Sequence, residues 1–432
     1  MHIYFSGIGG TGISALAVIA KEAGYAVSGS DARQSQYLEW LHKKGIDNVH
    51  VGVDDKFIAE VHAKKPIDWF VYGSAQPRDF PDNPEFAFCR QNHIKMSLRD
   101  EFLSELLVKK GLKLIAIAGT HGKTTTTAMA IWLLKKLGAP HSYSVGARLS
   151  FGEMAQFDPD SQLFVYECDE YDRNFLSFYP HTALIAGVDW DHPDVSPSRE
   201  DYYSAFRKFV GQSEKTVLWQ SDQKRLGLAA GPKLLVLDDN DPQIDRDLKL
   251  TGRVNRRNAW LVAQAASQFM DKPLGDMLAI LNKFPGLSRR FEQIAPNIYS
   301  DYAHTPAKIR GALQIAEEAA GKNVVVIYEG LHNTRQHFIK DELKGLFDDV
   351  KQLYIVPSFL AREDPNLELL IPEKLLDLLS NSTRQHAATA KLNQELADKI
   401  RQHVSNGDLV LALSAGSGDS LDEWLRQTFA PH

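Results

Sequence analysis

The sequence predicts an α/β protein built from three mostly parallel, doubly wound sheets, one per domain. Its 432 residues exceed what one ordinary core accommodates. Short apolar runs alternate with longer helix-like stretches, which is the rhythm of strand, crossover helix and parallel strand. That rhythm starts at residue 2 and restarts near residues 112 and 323. The seams fall near residues 98 and 293, so the expected domains are 1–98, 99–292 and 293–432.

In the first domain HIYFSG (2–7) reads as a buried strand. ISALAVIAKEAG (13–24) has helical periodicity and ends on a glycine suited to the C-terminal cap. YAVSGSD (25–31) and WFVYGSA (69–75) are the next strands. In the second domain LKLIAIAG (112–119) leads into a helix from Lys123 to about Leu137, and LFVYECD (163–169) and TALIAGVDWD (182–191) follow as strands. In the third, NVVVIYEG (323–330), QLYIVP (352–357) and DLVLALSAG (408–416) each read as a strand feeding a loop. The polar, proline-bearing stretch DDNDPQIDRD (238–247) reads as a surface loop. No internal repeat or low-complexity segment stands out.

Composition narrows the function classes. Hydrophobic content of 44% and charged content of 24% suit a soluble globular chain. A net charge of -6 argues against nucleic acid as the main partner. Two cysteines, Cys89 and Cys168, make no disulfide framework and fit a reducing cytoplasm. No apolar run approaches a membrane span, and the N-terminus enters a short strand without the features of a signal peptide.

Two glycine turns carry the chemistry. In Gly7-x-Gly9-x-x-Gly12 the first glycine permits a tight turn. The second lets a phosphate approach the backbone, and the third lets helix and strand pack closely. The phosphate then meets N–H groups at the positive end of a helix. Asp31 closes the following strand, where an acid can accept from a ribose hydroxyl. The pattern alone suggests NAD without fixing which nucleotide is bound.

The second turn is Gly119-Thr120-His121-Gly122-Lys123-Thr124, between a strand and a helix. Such a loop wraps phosphates in N–H groups, its lysine neutralises the β and γ phosphates, and the hydroxyl after it binds magnesium. The strict pattern places glycine at 117, where this chain has Ile117, so the match is to a shortened form. Glu167, Asp169 and Glu170 stand where the strand LFVYECD should emerge, suited to metal or charge work. Asp189-Trp190-Asp191-His192-Pro193-Asp194 ends another strand, and His192 is either a neutral imidazole ligand or a turn residue.

GIGGTGISALA with VSGSD, AGTHGKTTTTAM, ECDEYDRNF, DWDHPD, GRVNRRNA, LSRRFE and DYAHTP resemble, in this order, the signature segments of the Mur ligases. The resemblance spans about residues 3 to 340. It implies an N-terminal Rossmann-like domain for a UDP-sugar, a central P-loop domain for ATP, and a C-terminal Rossmann-like domain for the incoming amino acid. The first turn then holds the diphosphate of UDP-N-acetylmuramate rather than NAD, through Gly9, Gly10, Thr11, Gly12, Asp31 and Ser74. The implied reaction is phosphorylation of the sugar's carboxylate by ATP, followed by attack of an amine on the acyl phosphate.

The resemblance also implies roles residue by residue. Gly119, Thr120, His121, Gly122, Lys123, Thr124 and Thr125 hold ATP phosphates, with Lys123 offsetting repulsion between carboxylate and γ-phosphate. Thr124 and Glu167 ligate magnesium, and His192 contacts a second one. Asn255 and Asn258 fall where adenine is read, although Val254 replaces a frequent histidine. Arg290 and Asp301 resemble ATP contacts at the domain seam. Tyr302 and His304 face the incoming amine, and Arg335 is a carboxylate clamp. Arg335 matches the second arginine of that clamp, and the first is replaced by His332. Glu329, Asn333 and Thr334 look instead like a recycling relative that attaches a whole tripeptide, and Thr305 resembles the ligase of the third stem residue. The acceptor is therefore L-alanine, or else another amino acid or a tripeptide. No lysine follows DWDHPD until Lys208, so a carbamoylated metal ligand is not expected. The expected particle is a cytoplasmic monomer or weak dimer.

Two other classes compete. A NAD-dependent dehydrogenase would use the first turn and has no need of GTHGKT. A non-catalytic nucleotide sensor would keep both turns but has no reason to keep Glu167, His192, Tyr302 and His304 together.

Overall fold

The computed structural model describes residues 1–190, 196, 198–360, 363–416 and 419–430, apart from the side chains of Arg78 and Asp79. The chain divides into two compact units, Met1–Asp241 with Ala259–Phe284, and Pro242–Asn258 with Pro285–His432. The first unit holds two sheets and the second holds one.

The first sheet contains β1 (His2–Ser6), β2 (Ala26–Asp31), β3 (Val49–Val51), β4 (Trp69–Tyr72) and β5 (Lys95–Leu98). Its order is β3-β2-β1-β4-β5, and every pairing is parallel. All five residues of β1 are buried, as a central parallel strand covered on both faces requires. The second sheet contains β6 (Lys113–Ala118), β7 (Ser142–Ser144), β8 (Ala155–Gln156), β9 (Leu163–Glu167), β10 (Thr182–Ile185), β11 (Lys215–Trp219) and β12 (Leu234–Leu237). Its order is β12-β11-β10-β6-β9-β7-β8, with β8 antiparallel at one edge.

The helix Arg99–Lys110 starts directly after β5 and joins these two sheets. Its Phe102, Leu103, Leu106 and Leu107 belong to one apolar core that also contains Ile3 and Phe5 of β1 and Leu114 and Ala116 of β6. Lys110 reaches back to the Ala23 carbonyl at 2.8 Å. The chain passes from the first sheet to the second between β5 and β6, near residue 98, and one core runs through both sheets.

The second unit carries β13 (Glu292–Ala295), β14 (Ile298–Asp301), β15 (Val324–Leu331), β16 (Gln352–Phe359), β17 (Ala387–Thr389) and β18 (Leu409–Leu413). The order is β13-β14-β18-β15-β16-β17, antiparallel only at β13–β14. One expectation fails here. Within the stretch read as a loop, Pro242–Asp247 forms a helix. Proline fits a helix's first position, and Ile244 is the buried anchor. No described helix is long and apolar enough to cross a membrane.

Candidate active site

At the first turn, side chains fill the space that the glycines leave open. Gly7 has φ +71°, a conformation that favours glycine, and the Gln76 side chain covers it. A Cβ on Gly9 would stand 2.9 Å from both Asp31 Oδ2 and Ser35 Oγ. Gly9 N–H donates to Asp31 Oδ2 at 2.8 Å, and Arg33 N–H donates to Oδ1 at 3.1 Å. Asp31, expected to meet a ribose, therefore braces the turn. A Cβ on Gly12 would stand 2.2 Å from Nη1 of Arg99, so the third glycine makes room for an arginine rather than for a strand. Gly10, Thr11 and Gly12 sit at the N-terminal end of the helix Thr11–Glu22, where backbone N–H groups lack intrahelical partners. Ser74 precedes the short helix Ala75–Asp79.

Beneath this turn, Glu85 is fully buried. Tyr4 Oη and Ser6 Oγ donate to it at 2.8 and 2.6 Å, and Ser30 donates as well. These hydroxyls come from β1 and β2, so one carboxylate ties the two central strands to the helix Pro84–Gln91. Nothing in the local sequence announced that brace.

The second turn follows β6 and opens the helix Lys123–Lys136. Gly119 and Gly122 have φ of +146° and +79°, which explains why both are glycine. The Thr120 hydroxyl donates to the Asp189 carbonyl at 2.6 Å, and its N–H donates to the Gly187 carbonyl at 2.8 Å. The His121 ring occupies the space above Gly187, 2.1 Å from where a Cβ would lie. Thr120 and His121 thus anchor the loop by their side chains.

Three groups remain at the cradle. Lys123 Nζ donates to the Gly119 carbonyl at 2.7 Å and pairs with Glu170 Oε2 at 2.6 Å. Burial alone depresses the lysine's pKa, but Glu170, Asp169 and Glu167 outweigh it and hold the pKa above the ordinary value. The ammonium therefore stays charged. Thr124 Oγ1 donates to Glu167 Oε1 at 2.7 Å, while Gly146 N–H donates to Oε2 at 2.8 Å. β6 and β9 are neighbours with Ile117 opposite Glu167, which delivers the acid to the loop. Thr125 lies half-buried in the first turn of the helix.

Arg99 stands between the two turns. Its Nε donates to Asp100 Oδ2 at 3.1 Å, and its Nη2 lies 3.8 Å from Asp169 Oδ2. Asp100 is itself fixed by the Tyr166 hydroxyl at 2.9 Å. His192 lies outside the described residues.

The other expected residues belong to the second unit. Asn255 and Asn258 are one turn apart on the helix Arg253–Ala266. The Asn255 amide donates to the Thr251 carbonyl at 2.9 Å, and Asn258 is buried. Asp301, at the end of β14, accepts from Phe291 N–H at 2.7 Å. Burial raises its carboxyl to about 6, against the pull of Arg290 and that N–H. The guanidinium of Arg290 lies 5.0 Å from the Tyr302 ring centre, and the His304 ring meets that ring edge-on at 5.1 Å. His304 Nδ1 is 2.8 Å from the Tyr302 carbonyl. Positive φ at Arg289 and Phe291, 55° and 50°, marks the backbone here as strained. Arg290, Asp301, Tyr302 and His304 are thus brought together.

Glu329 ends up inside the unit, with Ser414 Oγ donating at 2.6 Å and Leu421 N–H at 3.0 Å. His332 has φ +51° and precedes the helix Asn333–Leu343, which carries Arg335 in its first turn. Asn333 fastens the segment near residue 370, donating to the Glu368 carbonyl and accepting from Leu370 N–H. Thr334 N–H donates to Glu363 at 2.9 Å.

Comparison with known proteins matches this layout. Residues 2–110 match the Mur ligase family catalytic domain, 117–233 the Mur ligase middle domain, and 289–416 the Mur ligase glutamate ligase domain. A UDP-N-acetylmuramate–L-alanine ligase of Anaeromyxobacter is 30% identical over 96% of this chain and 94% of its own. The chain belongs to the Mur ligase family. A ligase of the same name from Acetivibrio thermocellus is 28% identical to this Mur ligase, covering 96% of it and 93% of the relative. Among solved structures, UDP-N-acetylmuramate-alanine ligase of Thermotoga maritima superposes with a TM-score of 0.73 at 24% identity, covering 99% and 98% of the two chains. A murein peptide ligase of Psychrobacter arcticus gives 0.63 at 22%, covering 96% of each. These structures share the fold of this Mur ligase, with its three α/β domains.

Proposed function

We propose that this Mur ligase joins L-alanine to UDP-N-acetylmuramate at the expense of ATP, releasing ADP and phosphate. The observation that carries the reading is the cradle of Lys123, Thr124 and Glu167, placed in the same compact unit as a second glycine turn. One turn suits a triphosphate and the other a diphosphate, so the unit can bring an acid and a phosphoryl donor together. The relatives named for L-alanine support that acceptor. The domains proposed are 1–98, 99–292 and 293–432; the change from the first sheet to the second near residue 98 supports the first limit, while the third sheet begins at Glu292 and Pro242–Asn258 belong to its compact unit. The place of work proposed for this Mur ligase is the cytoplasm.

A carboxylate acylates poorly, so it must first be phosphorylated. Lys123 offsets the repulsion between the sugar's carboxylate and the terminal phosphoryl, and stabilises charge as that group transfers. The amine then attacks the acyl phosphate and phosphate leaves. His304, oriented by the Tyr302 carbonyl, is the candidate to meet the incoming amine beside Tyr302. Arg335 is the candidate clamp for an acceptor carboxylate. Asn255 and Asn258 with Arg290 and Asp301 are assigned to the nucleotide. The residues at the second turn fit magnesium: the Thr124 hydroxyl and Glu167 carboxylate are hard oxygen donors 2.7 Å apart at the mouth of a phosphate loop. When bound, the ion would neutralise charge on the phosphates. His192 is the remaining candidate ligand.

A tripeptide acceptor is the second reading, favoured by Glu329, Asn333 and Thr334 and by His332 in place of the first clamp arginine. The test follows phosphate release from ATP with UDP-N-acetylmuramate and either L-alanine, other amino acids or the tripeptide. Release that requires both sugar nucleotide and L-alanine is the expected result. Release with the tripeptide alone selects the second reading. Phosphate release that needs neither acid nor amine, or a nicotinamide-dependent absorbance change, overturns the ligase.

A further inference from the structure

We infer that Arg99 recognises the carboxylate of the sugar nucleotide and so determines which UDP-sugar is accepted; this rests on the reading just given. The position of Arg99 is fixed from below. It is the first residue of the helix Arg99–Lys110, whose apolar face is locked into the core shared by both sheets. One edge of its guanidinium is pinned by Asp100, which Tyr166 holds in turn. Nη1 lies over Gly12, in the second position of the helix Thr11–Glu22. Nη2 faces Asp169 at 3.8 Å, too far for a good hydrogen bond. The side chain keeps 22% of its surface exposed.

The placement has a chemical consequence. Backbone N–H groups at a helix start hold a diphosphate but carry no information about the attached sugar. A guanidinium beside them does, because its planar fork matches a carboxylate with two parallel hydrogen bonds. Arg99 also lies in the right direction. Asp169 lies on the segment after β9, between Glu167, which meets Thr124 at the strand's end, and Glu170, which pairs with Lys123. An acid group travelling from the first turn towards the nucleotide loop passes this arginine.

The test is calorimetric binding without ATP of UDP-N-acetylmuramate and UDP-N-acetylglucosamine, which lacks the acid, to the full chain. The wild type should prefer the acid about tenfold or more, the range of a charge-assisted hydrogen bond. In Arg99→Gln that preference should collapse while affinity for UDP-N-acetylglucosamine stays within about twofold of the wild type. Arg99→Lys should keep part of it, since charge remains without the fork. Asp169→Asn, which removes the competing carboxylate and leaves the guanidinium, should raise it. The inference is overturned if Arg99→Gln weakens both sugars equally, if it keeps the preference, or if Asp169→Asn lowers it. Should Arg99→Gln not fold, Asp169→Asn decides alone. If the wild type binds neither sugar nucleotide, the ligase reading itself falls, a different outcome from the loss of discrimination.

Discussion

At the first turn, Gly9 and Gly12 are glycine because Asp31, Ser35 and Arg99 occupy the space a Cβ would need. At the second, Gly119 and Gly122 are glycine because the backbone takes positive φ. The two turns also differ in charge. The second keeps a lysine among three carboxylates, whereas the backbone of the first is braced by a single aspartate and overlooked by an arginine from a later helix. Packing thus selects Gly9 and Gly12 at the first turn, whereas dihedral demand selects Gly7 beside them and Gly119 and Gly122 at the second. A local demand is visible in a short string of residues, and a tertiary one is not.

The largest effect should come from Lys123→Ala. Loss of a preorganised charge at a transferring phosphoryl group lowers turnover by about 10²–10³-fold or more, read as phosphate release. The substitution also leaves Glu170 buried without its cation, which costs about 3 kcal/mol in urea denaturation. Lys123→Ala combined with Glu170→Gln should recover the stability and not the turnover. Recovery of turnover would show that the charge at this turn is not the source of catalysis.

Next comes Glu167→Gln. It keeps a hydrogen bond from Thr124 but removes the charge, and should raise the magnesium concentration needed for half-maximal rate by about 10–100-fold. An unchanged magnesium curve would remove Glu167 from the metal site.

The glycines separate the turns directly. Gly122→Ala should cost about 1–2 kcal/mol of strain, and trimming neighbours should not relieve it. Gly12→Ala should cost about 1–3 kcal/mol by overpacking, and Arg99→Ala in the same chain should relieve most of that in thermal melts. Rescue at residue 122, or none at residue 12, would mean that strain and packing do not separate these two glycines.

The narrowest effect, confined to one window of pH, concerns Asp301. Its carboxyl, raised by burial to about 6 from an ordinary 3.8, favours the protonated form in the folded state. The folded chain therefore binds more protons than the unfolded chain between about pH 4 and 6. The associated stability is present below that window and is lost as pH rises through it, by about 3 kcal/mol at most. Asp301→Asn should flatten that part of the stability curve, measured by denaturation at pH 4.5, 5.5 and 7.

Much of the fold was readable because central parallel strands are continuous apolar runs. β1, β6, β15 and β18 were all found this way, each within one to three residues of its limits. β3, β7, β8 and β17 span only two or three residues and carry no period to detect. The helix Pro242–Asp247 leaves no helical stripe in the sequence, because Ile244 is its single apolar anchor. At the site, GTHGKT and the acid at Glu167 were legible, since a strand–loop–helix and a strand end are local objects. The contact of Arg99 with Gly12 joins residues 87 positions apart. Its one sequence signal was a charged residue opening a helix at a domain seam.

The sequence by itself determined where the central apolar strands run, and that two glycine turns, each between a strand and a helix, lie on one chain. These depend on burial period and on dihedral preference, both properties of a few neighbouring residues. Only the tertiary structure decided what fills the first turn: Asp31 turned inward to Gly9, and Arg99 delivered over Gly12 by a helix anchored in a shared core. Side chains distant in sequence meet only when sheets and helices pack, and the identity of the group that fills a glycine's empty space is set at that moment.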